Sequence, residues 1–125
     1  MRLLLDTHVL LWWVGDDPRL AGALATAITD PGNDVIVSAV SAAEIAVKAS
    51  IGKLPPMDVG EVMAEEGFHE LPLTSRHAAA LADLPLHHRD PFDRMLVAQA
   101  LVEGLVLVTL DPRCRAYDVP VLPSR

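Results

Sequence analysis

Short apolar runs alternate along this chain with longer stretches of helical composition. Arg2 to Leu5 reads as a buried strand that stops at Asp6, and Thr7 to Val14 as a helix. Gly15-Asp16-Asp17-Pro18 breaks that helix and starts another through Ile28. Pro31-Gly32-Asn33 marks a turn before a β-branched strand at Asp34 to Val37. Ser38 to Ile51 has helix-forming composition and is closed by Gly52 and Pro55-Pro56. Asp58 to Glu66 is a short acidic helix ended by Gly67, and Phe68 to Leu73 a third strand. Thr74 caps an alanine-rich helix that runs to Asp83. Asp90-Pro91 opens a helix reaching Glu103, with Gly104 as its stop. Leu105 to Val108 is the next buried strand, and Val119 to Leu122 a last edge strand limited by Pro120 and Pro123.

Apolar strands alternating with helices predict an α/β fold. It should have three layers: a central parallel sheet of four to five short strands with helices on both faces. There is no repeat, low-complexity segment or linker, so residues 1–125 are expected to form a single domain. In such sheets ligands sit at the carboxyl ends of the strands. Asp6 and Asp111 both occupy that location, after the first and fourth predicted strands.

Composition narrows the picture. An apolar content of 51% and a mean hydropathy of +0.32 exclude disorder as a description of the whole. No apolar run reaches the length of a membrane span, and the N-terminus lacks the pattern of a signal peptide. Cys114 is the one cysteine, so no internal disulfide is possible, and a cytoplasmic location is expected. A formal net charge of −7 argues against a nucleic-acid binder held by electrostatics alone. An enzyme that gathers carboxylates around bound cations could still carry that sign.

Taken singly, the carboxylates have ordinary explanations. Asp17-Pro18, Asp30-Pro31, Asp90-Pro91 and Asp111-Pro112 all have the form of helix starts. Glu44 could belong to a capping box with Ser41 or pair with Lys48 one turn on. Asp93 could be a first-turn acid facing the macrodipole. The combination is less ordinary. Asp6-Thr7-His8 ends a buried strand, Glu44 sits in a small apolar helix, His87-His88-Arg89-Asp90-Pro91-Phe92-Asp93-Arg94 opens another helix, and Thr109-Leu110-Asp111 ends another strand.

In these segments, above all Leu4 to Trp13 and Arg89 to Arg94, the chain resembles the PIN-domain nucleases, specifically VapC-type toxins of toxin–antitoxin pairs. The resemblance spans essentially the whole sequence. It implies a PIN-like fold and endoribonuclease activity dependent on magnesium or manganese. It also implies a homodimer and a cognate antitoxin protein. By the same resemblance Asp6, Glu44, Asp90 and Asp111 form the catalytic acidic quartet, and Asp93 is a further metal-facing acid. On that arrangement Asp6 is central, Glu44 and Asp90 share one ion, and Asp111 serves a second, weaker one. One ion or two stays open, as does Asp90 against Asp93 for the closer ligand, with Asp90 ranked first.

The chemistry agrees, since hard divalent ions take oxygen donors and can activate water for phosphodiester hydrolysis. Thr7 and Thr109 are candidates for holding the carboxylates. Arg89, Arg94, Arg113 and Arg115 are candidates for phosphate contact. The five histidines are expected on loops and surfaces, because no spaced cysteines or His-rich motif suggests zinc. Trp12 and Trp13 are adjacent, so one should be core and the other reach a dimer or antitoxin surface. Two other classes compete. A phosphotransferase of the haloacid-dehalogenase type also places an Asp after its first strand, but needs another Asp where this chain has His8. A non-catalytic interaction domain would use the acids only as helix caps.

Overall fold

A computed structural model describes residues 1–124. The strands are β1 (Arg2–Leu5), β2 (Asp34–Ser38), β3 (His69–Leu71), β4 (Val106–Val108) and β5 (Val121–Leu122). They form one parallel sheet in the order β3-β2-β1-β4-β5. The helices are α1 (Thr7–Val14), α2 (Ala23–Thr29), α3 (Ala39–Ser50), α4 (Val59–Glu66), α5 (Ser75–Ala82) and α6 (Pro91–Glu103).

Strand residues alternate between two cores, which makes the fold three-layered. Leu3, Leu5, Val35, Val37 and Val108 pack with Val9, Leu10, Leu24, Ile28, Ile45 and Met63 on one face. Leu4, Ile36, Leu107 and Val121 pack with Leu96, Val97, Ala100, Cys114 and Tyr117 on the other. With both faces covered, the strands read as continuous apolar runs. No helix among the described residues is long and apolar enough to cross a membrane.

Where the structure departs from the sequence reading, backbone chemistry supplies the reason. The helix expected from Pro18 to Ile28 is split into a 3₁₀ turn at Pro18–Leu20 and α2, because Gly22 takes φ 78° between them. Asp30 does not open a helix; it caps the end of α2, its carboxylate accepting from the Gly32 N–H at 2.8 Å. β3 is shorter than expected. The Phe68 N–H turns back to Met63 O to close α4, and Pro72 has no N–H to extend the ladder.

The sheet order places the switch point between β1 and β4, whose chains leave toward opposite edges. The crevice beyond their carboxyl ends is where an open α/β sheet offers a binding site.

Candidate functional site

Asp6 follows β1 directly. Its N–H donates to Val108 O at 3.0 Å, which fixes it beside the end of β4, and its carboxylate accepts from the Val9 N–H at 2.8 Å as the cap of α1. Burial pushes the Asp6 carboxyl above its ordinary range, and a hydrogen bond from Thr109 opposes that only in part. The Thr109 hydroxyl oxygen also accepts from the Asp111 N–H at 3.1 Å, so one buried threonine sets both strand-end acids. Thr7 Oγ1 donates to Ser41 Oγ at 3.0 Å, tying α1 to α3 one turn before Glu44.

Glu44 is 1% exposed. It is not part of a capping box, because Ser38 caps α3 by accepting from the Val40 N–H. The pairing with Lys48 is the one that forms: Lys48 Nζ donates to Glu44 Oε2 at 2.7 Å. The other oxygen, Oε1, is buried without a hydrogen-bond partner. Such an atom is costly unless something else meets it.

Asp90 and Asp93 separate clearly. Asp90 Oδ1 caps α6, accepting from the N–H groups of Phe92 at 2.8 Å and Asp93 at 3.2 Å. Asp93 is buried, and its carboxyl is pushed up to about 6 by that burial and by the fields of Asp90, Asp6 and Glu44. Those three fields place Asp93 among the other acids. Asp93 is the more buried of the two and its carboxyl is raised, while Asp90 is the cap of α6. At Asp111 burial acts upward, but the backbone N–H and guanidinium of Arg113 outweigh it and leave the carboxyl lowered. The structure thus brings Asp6, Asp90, Asp93 and Asp111 to the crevice, with Glu44 buried within electrostatic reach of Asp93, from four separate segments.

Two histidines correct the surface expectation: His88 and His77 are buried. The His88 N–H donates to the Tyr117 hydroxyl at 3.1 Å, and its Nδ1 accepts from the Asp90 N–H at 3.1 Å. A ring nitrogen that accepts carries no proton, so the neutral ring has its proton on Nε2. Nε2 lies 2.9 Å from Asp93 and 3.3 Å from Asp111, yet neither contact has hydrogen-bond direction. No local sequence signal marks this histidine, because the tyrosine that anchors it is 29 residues away.

A cavity of about 470 Å³ opens over the crevice, lined by His88, Asp90, Asp93 and Asp111 with His8, Arg89 and Arg113 at its rim. His8 and Asp111 also border an adjoining cavity of about 330 Å³ that Asp6 reaches. The arginines divide in two. Arg94 is bound to Pro85 O and the Tyr117 hydroxyl, and Arg115 to Pro123 O; both brace the backbone. The tryptophans are each half-buried within the chain. Arg19 stacks over Trp12 at 4.5 Å, and Trp13 meets Phe68.

The donor set suits a hard divalent cation: carboxylate oxygens, one of them buried and unpartnered. Ligand atoms of His88, Asp93, Asp111 and Cys114 lie within 4.8 Å of one another. Burial nevertheless raises the Cys114 thiol far above its ordinary range, and the proton on Nε2 makes His88 a donor. The oxygens are the ligands this cluster has to offer.

The model of the PIN domain family matches residues 3–120. Ribonuclease VapC22 of Mycobacterium tuberculosis is 32% identical over 123 residues, covering 94% of this chain and 93% of the relative. Among solved structures, VapBC2 from Rickettsia felis, bound to a DNA fragment from its promoter, superposes with a TM-score of 0.72 at 14% identity, over 97% of each chain. A toxin–antitoxin complex from Klebsiella pneumoniae superposes with a TM-score of 0.66 at 20% identity, over 96% of this chain and 95% of that one. The chain belongs to the PIN domain family.

Proposed function

We propose that this PIN-domain chain is a magnesium- or manganese-dependent endoribonuclease, the toxin of a toxin–antitoxin pair. The observation that carries the reading is the crevice at the switch point. Acids from four segments converge there, one carboxyl is held at about 6 and one buried oxygen has no partner. Acids that were only helix caps would each be satisfied by their own helix. The similarity to a ribonuclease across nearly the whole chain supplies the reaction class.

Asp6, Glu44, Asp93 and Asp111 would hold the cation, and Asp90 adds its charge from the cap of α6. When bound, a divalent ion lowers the pKa of a water and offsets charge on the phosphate. The chain's own part is orientation. Thr109 fixes Asp6 and Asp111 relative to each other, and the Thr7–Ser41 bond holds α3 against α1. Arg89 and Arg113, which line the cavity, would contact the phosphates of the substrate. The chain's formal net charge of −7 favours one exposed RNA loop over a long groove. A cognate antitoxin would restrain the enzyme by putting a basic side chain into the same carboxylates. A second copy of the chain completes the expected assembly.

Purified protein should cut structured RNA with magnesium or manganese and stop in EDTA. Asp6→Asn should abolish cutting while retaining the fold by circular dichroism. Full-rate cutting by Asp6→Asn, in a preparation free of contaminating nuclease, would show that the crevice is not the active site.

A further inference from the structure

We propose that Lys48 is the built-in counter-cation of the carboxylate crevice, competing with a divalent ion for Glu44 and so setting the affinity of the site. The inference rests on the metal-binding reading above and extends it to a residue outside the acidic set.

An ordinary i,i+4 pair joins two solvated side chains and contributes little to stability. The Lys48–Glu44 pair differs in both members. The Glu44 side chain is 2% exposed, so its charge has almost no water to stabilise it, whereas Lys48 keeps 33% exposure. Lys48 also lies in the field of the carboxylates of Asp90 and Asp93, on a different helix. Its charge therefore belongs to the cluster and not to α3 alone.

The pairing leaves Glu44 half-satisfied. Oε2 is taken by the ammonium at 2.7 Å, and Oε1 stays buried and unpartnered. A carboxylate held by one oxygen, with the other free inside an acidic crevice, is oriented for a second cation. Two cations on one carboxylate repel each other. Lys48 thus stabilises the crevice when no divalent ion is present and opposes the ion when it arrives. It acts through Glu44 and is a positioning residue.

The test compares wild type, Lys48→Met, Lys48→Arg and Glu44→Gln/Lys48→Met at fixed pH. Titration calorimetry with manganese and thermal melts in EDTA and in manganese give readouts that do not depend on cleavage. In EDTA, Lys48→Met should melt below wild type, because Glu44 is left buried without a counter-charge. The double variant should recover most of that loss. Lys48→Met should bind manganese more tightly, on the order of tenfold, as expected for removing one like charge beside the ion. It should also gain more than wild type from manganese in the melt, while Lys48→Arg should follow wild type in every measurement. Unchanged or weaker manganese binding by Lys48→Met, with wild type binding normally, overturns this inference alone. A wild type that binds no manganese overturns the metal reading and this inference with it.

Discussion

Two polar clusters are buried in this molecule, both partly carried by α6, and they are built in opposite ways. Around Gln99, each buried polar side chain finds a partner. Ser38 Oγ donates to Gln99 Oε1, and Gln99 Nε2 donates to Pro72 O at 3.2 Å. His77 Nδ1 accepts from the Thr74 N–H at 3.0 Å, and Nε2 is 3.1 Å from Glu103 Oε1. Around Asp93, like charges crowd together, and the unsatisfied buried side-chain atoms among the described residues, Glu44 Oε1 and His88 Nε2, both belong to this cluster. The two histidines make the contrast compact. Each Nδ1 accepts a backbone N–H at a helix start; His77 Nε2 has a carboxylate to donate to, and His88 Nε2 has two in reach and bonds neither. A satisfied network specifies packing, whereas an unsatisfied one is held in place by the rest of the fold and is available for a ligand.

The largest effect should come from breaking the satisfied cluster. Gln99→Ala removes a fully buried side chain, takes away the acceptor of the Ser38 hydroxyl and the donor to Pro72 O, and opens a cavity. A loss of about 2–4 kcal/mol is expected from urea unfolding. A loss under about 1 kcal/mol would mean that water or repacking replaces the network, and the contrast between the clusters would weaken.

The same kind of change in the unsatisfied cluster should have the opposite sign. The Asp93 carboxyl lies at about 6 in the folded protein against 3.8 for the free group, so the folded state holds the proton more tightly. Its contribution to stability is full below pH 3.8, is lost as pH rises through about 6, and stays lost at neutral pH. Asp93→Asn cannot ionise. In EDTA at neutral pH it should be more stable than wild type, on the order of 1–2 kcal/mol, and its melting temperature should flatten between pH 4 and 6. It should also lose most of the gain that manganese gives wild type. A variant that melts below wild type in EDTA at pH 7, with the manganese gain intact, would make Asp93 an ordinary packing residue.

Much of this was legible in the sequence, and what was not has a common cause. Strand and helix order followed from apolar runs and breakers. The crevice followed from where Asp6 and Asp111 fall at strand ends. These are local signals. The order of Asp90 and Asp93 was not readable, because an Asp before a Pro reads as cap and as ligand alike. The structure shows the cap itself, Asp90 Oδ1 closing onto two N–H groups. His77 and His88 escaped for the same reason, since their burial depends on Glu103 and Tyr117, distant in sequence. Gly22 was passed over because one glycine in a helical stretch is ambiguous until its φ is known.

The smallest effect tests the rim of the unsatisfied cluster. Arg113 is 66% exposed, and its guanidinium reaches Asp111 only at 3.3 Å, while its backbone N–H holds Asp111 Oδ1 at 2.8 Å whatever the side chain. Arg113→Ala should therefore change stability by no more than about 0.5 kcal/mol. Its expected role is electrostatic contact with RNA, which has a signature of its own. In the cutting-deficient Asp6→Asn background, RNA affinity measured against salt should fall off less steeply once Arg113 is gone. The slope should drop by about 0.7, the release of one counterion from a single strand. Arg94 is the internal control, because its guanidinium is already engaged with Pro85 O and the Tyr117 hydroxyl. Arg94→Ala should lower the melting temperature and leave the salt slope of the folded protein unchanged. If the two arginines exchange these behaviours, the phosphate path does not cross the rim at Arg113, and RNA enters the crevice from another side.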